Sequence, residues 1–446
     1  MIMPRRMNLR NSVVIRSLKV LPKENRTKVI LATVLQTGLN LLDLIGVGAI
    51  GVLGALAVTG VQSQAPGSRV SEVLRIIRID SYSFQTQAAI LGIGASVVLV
   101  LRTLLSIVIT RKILYFLSKQ GALISSNLFA RLLGQNLLQV QSRSSQDTIY
   151  SLTIGVSTIT LGILGSTVAI VADGSLLIFL IGAMFLVDSI LAISCIIFFG
   201  GLGLVLYRTM SGRAHELGTL NSQISVESNE RITEILESFR ESIVRNTRGF
   251  YIQKFKTSRL RLAVVSAEMQ FMPNISKYVI ESGMVVGAVL ISAIKFVALD
   301  ARHAVATLSV FLAAGTRIAP ASLRLQQNLI QVKSSTGSAN PTIQLVEALA
   351  NSLPLSHLQA KLDRDHLNFR PDIKMTDINL TYPGGNHPAL HKVDLELSKG
   401  QSLAVVGPSG SGKTSLVDVL LWVLLQDKGI VSISGLSPKD AIQKWP

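Results

Sequence analysis

From Ile154 to Tyr207 the chain is almost wholly apolar, and no water-soluble fold of ordinary size buries a run of that length in one stretch. It exceeds the roughly 20 residues that one helix needs to cross a bilayer, so it should fold back on itself as a hairpin of two spans. Two turns are available, Asp173-Gly174 and Asp188-Ser189. The second divides the run into two spans that each keep a polar extension, which places Asp173 inside a helix. Composition agrees with membrane: 48% hydrophobic, 15% charged, mean hydropathy +0.47.

Four further apolar runs have spanning length: Val29 to Val58, Ala88 to Thr110, Tyr278 to Val297 and Ala304 to Ala321, the last two joined by a short turn over 298–302. The count is about six. Met1 to Lys28 is rich in Arg and Lys, and the run after it is too long for the roughly 7 to 15 apolar residues of a signal peptide, so it reads as a retained first span. The segments 111–151 and 208–277 are basic and helical in pattern, and lightly charged loops alternate with them, as the positive-inside rule requires of a cytoplasmic N-terminus and an even number of spans.

The same rule accounts for the net charge of +17. Nucleic-acid binding is not expected, because no basic and aromatic residues interleave in a soluble domain. The single cysteine, Cys195, permits no intrachain disulfide and reads as a small buried hydrophobe. The six histidines stand apart from any carboxylate or thiol at ligand spacing, so the only metal expected is Mg²⁺ arriving with nucleotide.

That nucleotide is predicted by Leu403 to Ser415: a buried strand over 403–406, a glycine-rich loop over 407–412, and a helix from Lys413 to about Leu425. Gly407, Pro408, Ser409, Gly410, Ser411, Gly412, Lys413 and Thr414 fill the G-x-x-x-x-G-K-[ST] pattern of a phosphate cradle, and Ser415 follows it as a further candidate for holding the nucleotide. Glycines let the backbone aim successive N–H groups at phosphate oxygens, at the positive end of the helix dipole. Lys413 then reaches the terminal phosphates, and the Thr414 hydroxyl is placed to ligate Mg²⁺. Strands are expected over 373–380, 393–397 and 429–433 around this loop. The organisation is a basic N-terminus over 1–28, a membrane domain over 29–338, a linker over 339–368 and a nucleotide domain over 369–446.

Four charges fall inside predicted spans: Asp43, Arg102, Asp173 and Glu281. Each is costly in lipid and should face a cavity, a partner or the bundle interior, with Arg102 and Asp43 as a candidate pair. Lining a substrate cavity and structural pairing are both open readings of these residues.

The order of parts resembles an ABC exporter half-transporter: a multi-span α-helical membrane domain of about six transmembrane helices, followed by the N-terminal part of an α/β P-loop ABC ATPase domain. On that resemblance Tyr382, in Leu380-Thr-Tyr-Pro, stands where these transporters stack an aromatic ring on adenine, although a strand aromatic is the plain alternative. Arg231 to Glu241 resembles the second cytoplasmic loop, which carries motion between ATP domain and membrane helices; a solvated charged helix is its alternative. Pro273, Lys277-Tyr278 and Glu281, the stretch 311–317 with Pro320, and 435–446 are similar to bacterial flippases of lipid-linked oligosaccharides.

The resemblance implies ATP and Mg²⁺ as cofactors and a second half-transporter subunit as partner, in a homodimer or heterodimer. It also implies a lipid-linked or amphipathic substrate and a multi-pass protein of the bacterial plasma membrane, with its ATP domain cytoplasmic. The family's glutamine loop, signature sequence, Walker B aspartate with the following glutamate, and switch histidine are expected after residue 446. The segment in hand is therefore expected to bind ATP without hydrolysing it; the alternative is a non-hydrolysing membrane protein with a degenerate nucleotide domain.

Overall fold

A computed structural model describes residues 13–61, 75, 82–187, 189–298, 301–354 and 369–445. The chain divides into two compact units, Met1–Ser125 with Ile149–Gln344, and Ser126–Thr148 with Leu345–Pro446.

The described residues of the first unit are helical apart from short turns. After a short α1 (Val13–Val20), α2 (Lys23–Val61) runs 39 residues, and α3 (Phe84–Leu133) runs 50. At 1.5 Å per residue α3 is about 75 Å long, more than twice the hydrocarbon thickness of a bilayer. Two short helices, α4 (Leu137–Gln141) and α5 (Ser145–Tyr150), follow it. The apolar hairpin then consists of π-helical turns over Ser151–Gly155 and Thr158–Gly165, α6 (Ser166–Val187), α7 (Ser189–Cys195), a π-helical turn over Ile196–Gly200 and α8 (Gly201–Glu237). Asp173 lies within α6, as expected; Asp188 lies outside the described residues, between the end of α6 and the start of α7. The short α9 (Phe239–Val244) leads to α10 (Arg248–Ala298) and α11 (Ala301–Ser338), and α12 (Asn340–Ala348) closes the series.

Among the described residues four helical stretches are long and apolar enough to cross a membrane: Glu24–Gly46, Gln85–Leu133, Thr158–Phe185 and Ala192–Glu237. The fifth and sixth expected spans run in α10 and α11, where the side chains of 294–314 lie outside the described residues. The faces of α2 and α3 turned away from the bundle expose Ile30, Val34, Ile45, Ile93, Val97, Val100 and Ile107. Such a surface suits lipid, which also explains the helices: hydrocarbon offers no partner to a backbone amide, so each is satisfied within its own segment.

Inside, Leu176, Cys195, Phe199, Leu206, Met210, Leu217, Ile280 and Ile318 form one core drawn from α6, α7, the π-helical turn after it, α8, α10 and α11. The tightest contact is between α8 and α11. A Cβ on Gly218 would collide with the Ser334 backbone, and one on Gly337 with the His215 carbonyl. Ser338 Oγ donates to the Gly218 carbonyl at 2.8 Å, and the buried Tyr150 hydroxyl donates to the Ser338 carbonyl at 3.1 Å. Small residues admit this approach, and the hydroxyls use the carbonyls it brings near.

The second unit holds a three-stranded antiparallel sheet in the order β2-β1-β3, with β1 Ile373–Leu380, β2 Leu390–Leu397 and β3 Lys428–Ile433. Ile373 pairs with Leu397 on one side and Ile433 on the other. A bulge between Met375 and Ile378, with Asp377 at φ 48°, turns both apolar side chains to the same face although they are three residues apart. That face carries Met375, Ile378, Leu380, Leu390 and Val431, and it packs on Val419 of α13 (Lys413–Leu420) and on Leu424. Leu137 and Leu138 of α4 complete the cluster, so a segment between two spans is built into this unit's core. A last helix, α14 (Pro438–Lys444), is capped by Ser437.

Two expectations here are corrected. Residues 403–406 form no strand: they pair with nothing among the described residues, and Val406 is 88% exposed. An apolar strand of that kind is stable only with neighbours on both edges and cover on both faces, and the three antiparallel strands supply neither. The helix after the loop stops at Leu420 rather than near Leu425, because Trp422 takes φ 56° and the Val423 and Leu424 amides turn back to the Asp418 carbonyl.

Three outcomes follow from the α8–α11 seam. Gly218→Ala should destabilise the membrane unit by about 1–3 kcal/mol through overpacking. Gly212→Ala, on the same helix with open space around it, should stabilise by about 0.5–1 kcal/mol. Thermal unfolding in detergent gives the two signs. Burial raises the Tyr150 pKa, outweighing the lowering bonds from Ser222 and Ser338. Its neutral hydroxyl therefore stabilises the fold fully below the ordinary tyrosine pKa of about 10 and ceases to do so as pH climbs through the raised value. Melting curves at rising alkaline pH should fall less steeply for Tyr150→Phe than for the wild type.

Candidate nucleotide site and intramembrane cavity

The glycine-rich loop turns into α13 through two left-handed residues, Gly410 at φ 83° and Gly412 at φ 87°. An L side chain is strained at either, and a Cβ on Gly412 would strike the Ala389 carbonyl. Gly412 is the N-cap of α13, so the free N–H groups of the first turn and the positive end of the dipole point back over the loop. Pro408, Ser409 and Ser411 fill the exposed turn, closed by the Ser411 amide donating to the Pro408 carbonyl at 3.3 Å.

Lys413 arches over this turn. Its Nζ donates to the Gly407 carbonyl at 2.9 Å and to the Pro408 carbonyl at 2.7 Å, which parks the ammonium at the loop's mouth. Thr414 is exposed on the first helical turn and Ser415 is buried. The Tyr382 hydroxyl lies 3.1 Å from Ser415 Oγ, so the ring just after β1 is tied to the helix that begins the cradle, and its face stays partly exposed. The geometry thus brings Tyr382 and 407–415 together in one place. A backbone opened by residues that cannot carry a Cβ, a lysine held by weak carbonyl partners and a free threonine hydroxyl fit a polyphosphate. Among the described residues no group of three or more His, Cys, Asp or Glu is placed to hold a metal ion.

The membrane unit has its own polar site, a cavity of about 460 Å³ among α2, α3, α6 and α11. Asp43 and Arg102 line it as a pair, Nη2 to Oδ2 2.8 Å, and so does Asp173, whose Oδ1 is 2.8 Å from Nε of Arg324. Asn40 braces one wall, donating to the Ala172 carbonyl at 2.7 Å and to Ser175 Oγ at 2.9 Å. Glu281 is exposed and does not line this cavity. Sequence reasoning missed Arg324, which falls just past the predicted end of the sixth span; the signal available was a carboxylate at Asp173 with no basic partner assigned to it.

Residues 390–446 match the family model for the ABC transporter. The chain is 34% identical over 77 residues to the ATP-dependent lipid A-core flippase of Thiobacillus denitrificans, covering 17% of this chain and 13% of the relative. It is 46% identical over 66 residues to the lipoprotein-releasing system ATP-binding protein LolD 1 of Rhodopirellula baltica, covering 14% and 29%. The sulfate/thiosulfate import ATP-binding protein CysA of Caulobacter vibrioides is 49% identical over 51 residues, covering 11% and 15%. The chain thus spans less than a third of the length of each of these relatives, and relatives of different transport direction share the short matched segment. The segment 390–446, which holds the glycine-rich loop, is thus similar to the ABC transporter family, and a helical unit with four membrane-length apolar stretches among its described residues precedes it.

Proposed function

We propose that this chain is the membrane-spanning and ATP-binding part of an ABC exporter subunit that moves an amphipathic or lipid-linked substrate across the bacterial plasma membrane. A second half-transporter, identical or not, completes the assembly, and the basic N-terminus and nucleotide unit face the cytoplasm. The observation that carries the reading is the integration of 126–148 into the second unit: the partly buried Leu137 and Leu138 pack against that unit's core, although the chain reaches them from one apolar helix and returns to another. A change in the nucleotide unit therefore pulls on α3 directly.

At the cradle, the first-turn amides of α13 bind phosphate oxygens, and Lys413 exchanges the Gly407 and Pro408 carbonyls for terminal phosphates. Thr414 offers its hydroxyl to Mg²⁺ carried with ATP, and the Tyr382 ring stacks on the base. ATP supplies the free energy when bound. This segment is assigned the nucleotide-binding step, which Tyr382 and the residues of the glycine-rich loop carry out. A second reading, a membrane protein that binds nucleotide without turnover, is favoured by the unpaired run over 403–406; vanadate trapping on the native protein separates the two, because trapping requires hydrolysis.

Fluorescent ATP titrated into the full chain in detergent tests the site. Lys413→Ala should weaken binding by about 1.5–3 kcal/mol, the range for hydrogen bonds to a charged group. Tyr382→Ala should cost about 1–3 kcal/mol if the ring stacks on the base, with Tyr382→Phe keeping most of it. Affinities unchanged by both alanine variants exclude this site as the one that binds ATP.

A further inference from the structure

We infer that the cavity among α2, α3, α6 and α11 binds an amphiphile with an uncharged, hydroxyl-rich headgroup, of the alkyl glycoside class. The inference rests on reading the helical unit as the translocating one, and names the chemistry it selects.

Charge comes first. The four ionisable side chains lining the cavity, Asp43, Arg102, Asp173 and Arg324, sum to zero, and each carboxylate already lies 2.8 Å from a guanidinium. An anionic headgroup would bring an uncompensated negative charge into a neutral cavity between apolar helices, and a cationic one an uncompensated positive charge; both are penalised there. A hydroxyl escapes the choice, since it donates to a carboxylate and accepts from a guanidinium with the pair intact. Each pair has capacity to spare, because a guanidinium carries five donors and a carboxylate about four acceptor sites. Arg102 Nε–H is buried with no partner among the described residues, so this network is not saturated.

A second observation points to a tail. Ser106 and Thr110 line the polar cavity and also one end of an open groove of about 420 Å³ along α3, continued by Ile107, Leu114 and Tyr115. One end of the combined space is built from ions and amides, the other largely from hydrocarbon, with the Arg111 guanidinium over the Tyr115 ring, 5.5 Å from its centroid. That polarity fits a single molecule lying with its headgroup between the ion pairs and its chain along α3.

The test uses the full chain in amphipol, without nucleotide, and decyl maltoside bearing a photoreactive diazirine on the sugar, below its micellar concentration. Labelled peptides should map to α2, α6 or α11. Decyl maltoside should displace the label roughly tenfold more effectively than decyl phosphate or decyl trimethylammonium, as expected for one hydrogen bond to a charged group. Asp173→Asn leaves a net positive cavity and should turn the preference to the phosphate; Arg324→Gln should turn it to the ammonium. Decyl phosphate displacing best from the wild type, or an order of preference unmoved by the single variants, overturns the assignment. Should a single variant fail to fold, the exchanged pair Asp173→Arg with Arg324→Asp keeps the cavity neutral and must keep the wild-type order; a changed order is equally fatal. Because no ATP is present, failure here leaves the nucleotide reading standing, and loss of ATP binding leaves this site standing.

Discussion

A peptide group in hydrocarbon can find a hydrogen-bond partner only within its own structure, and the first unit follows from that constraint. It forces long helices, and it makes apolar side chains cheap on the outside and charges expensive inside. Asp43, Arg102, Asp173 and Arg324 accordingly meet as two pairs instead of facing lipid. It also removes the hydrophobic drive between helices, so association falls to close packing, and the α8–α11 seam shows this at Gly218 and Gly337.

The second unit obeys the opposite economy. Its sheet is short and antiparallel and buries one face, with the bulge at Asp377 keeping Met375 and Ile378 on that face. The same core accepts Leu137 and Leu138, so a length of chain encoded between spans folds with strands encoded more than two hundred residues later. Sequence-local reasoning assigns such a segment to the membrane domain; contacts assign it elsewhere.

Much of this was legible beforehand where the physics is local. The strand over 373–380 and the retention of Asp173 within a helix depend on periodicity, length and breaker residues. The turn of the glycine-rich loop was legible for the same reason, since Gly410 and Gly412 are needed for their backbone conformation alone. What could not be read depends on neighbours. Leu403 to Val406 has a strand's composition, yet composition does not supply a partner strand. Arg324 meets Asp173 only because α11 packs against α6, and the bond from Tyr382 to Ser415 requires the fold to bring together residues 33 apart. The π-helical turns around 151–165 and 196–200 leave no mark in an apolar pattern that suits an α-helix equally well.

The Tyr382–Ser415 bond has a thermodynamic corollary. The ring after β1 and the helix that follows the glycine-rich loop are fastened to each other, so the groups proposed to read base and phosphate form one body rather than two independent grips. Contacts that share a support are not additive: shifting the ring tilts the start of α13, and a strained loop in turn moves the ring. Free energies obtained by trimming a nucleotide from either end will therefore not sum to that of the whole molecule.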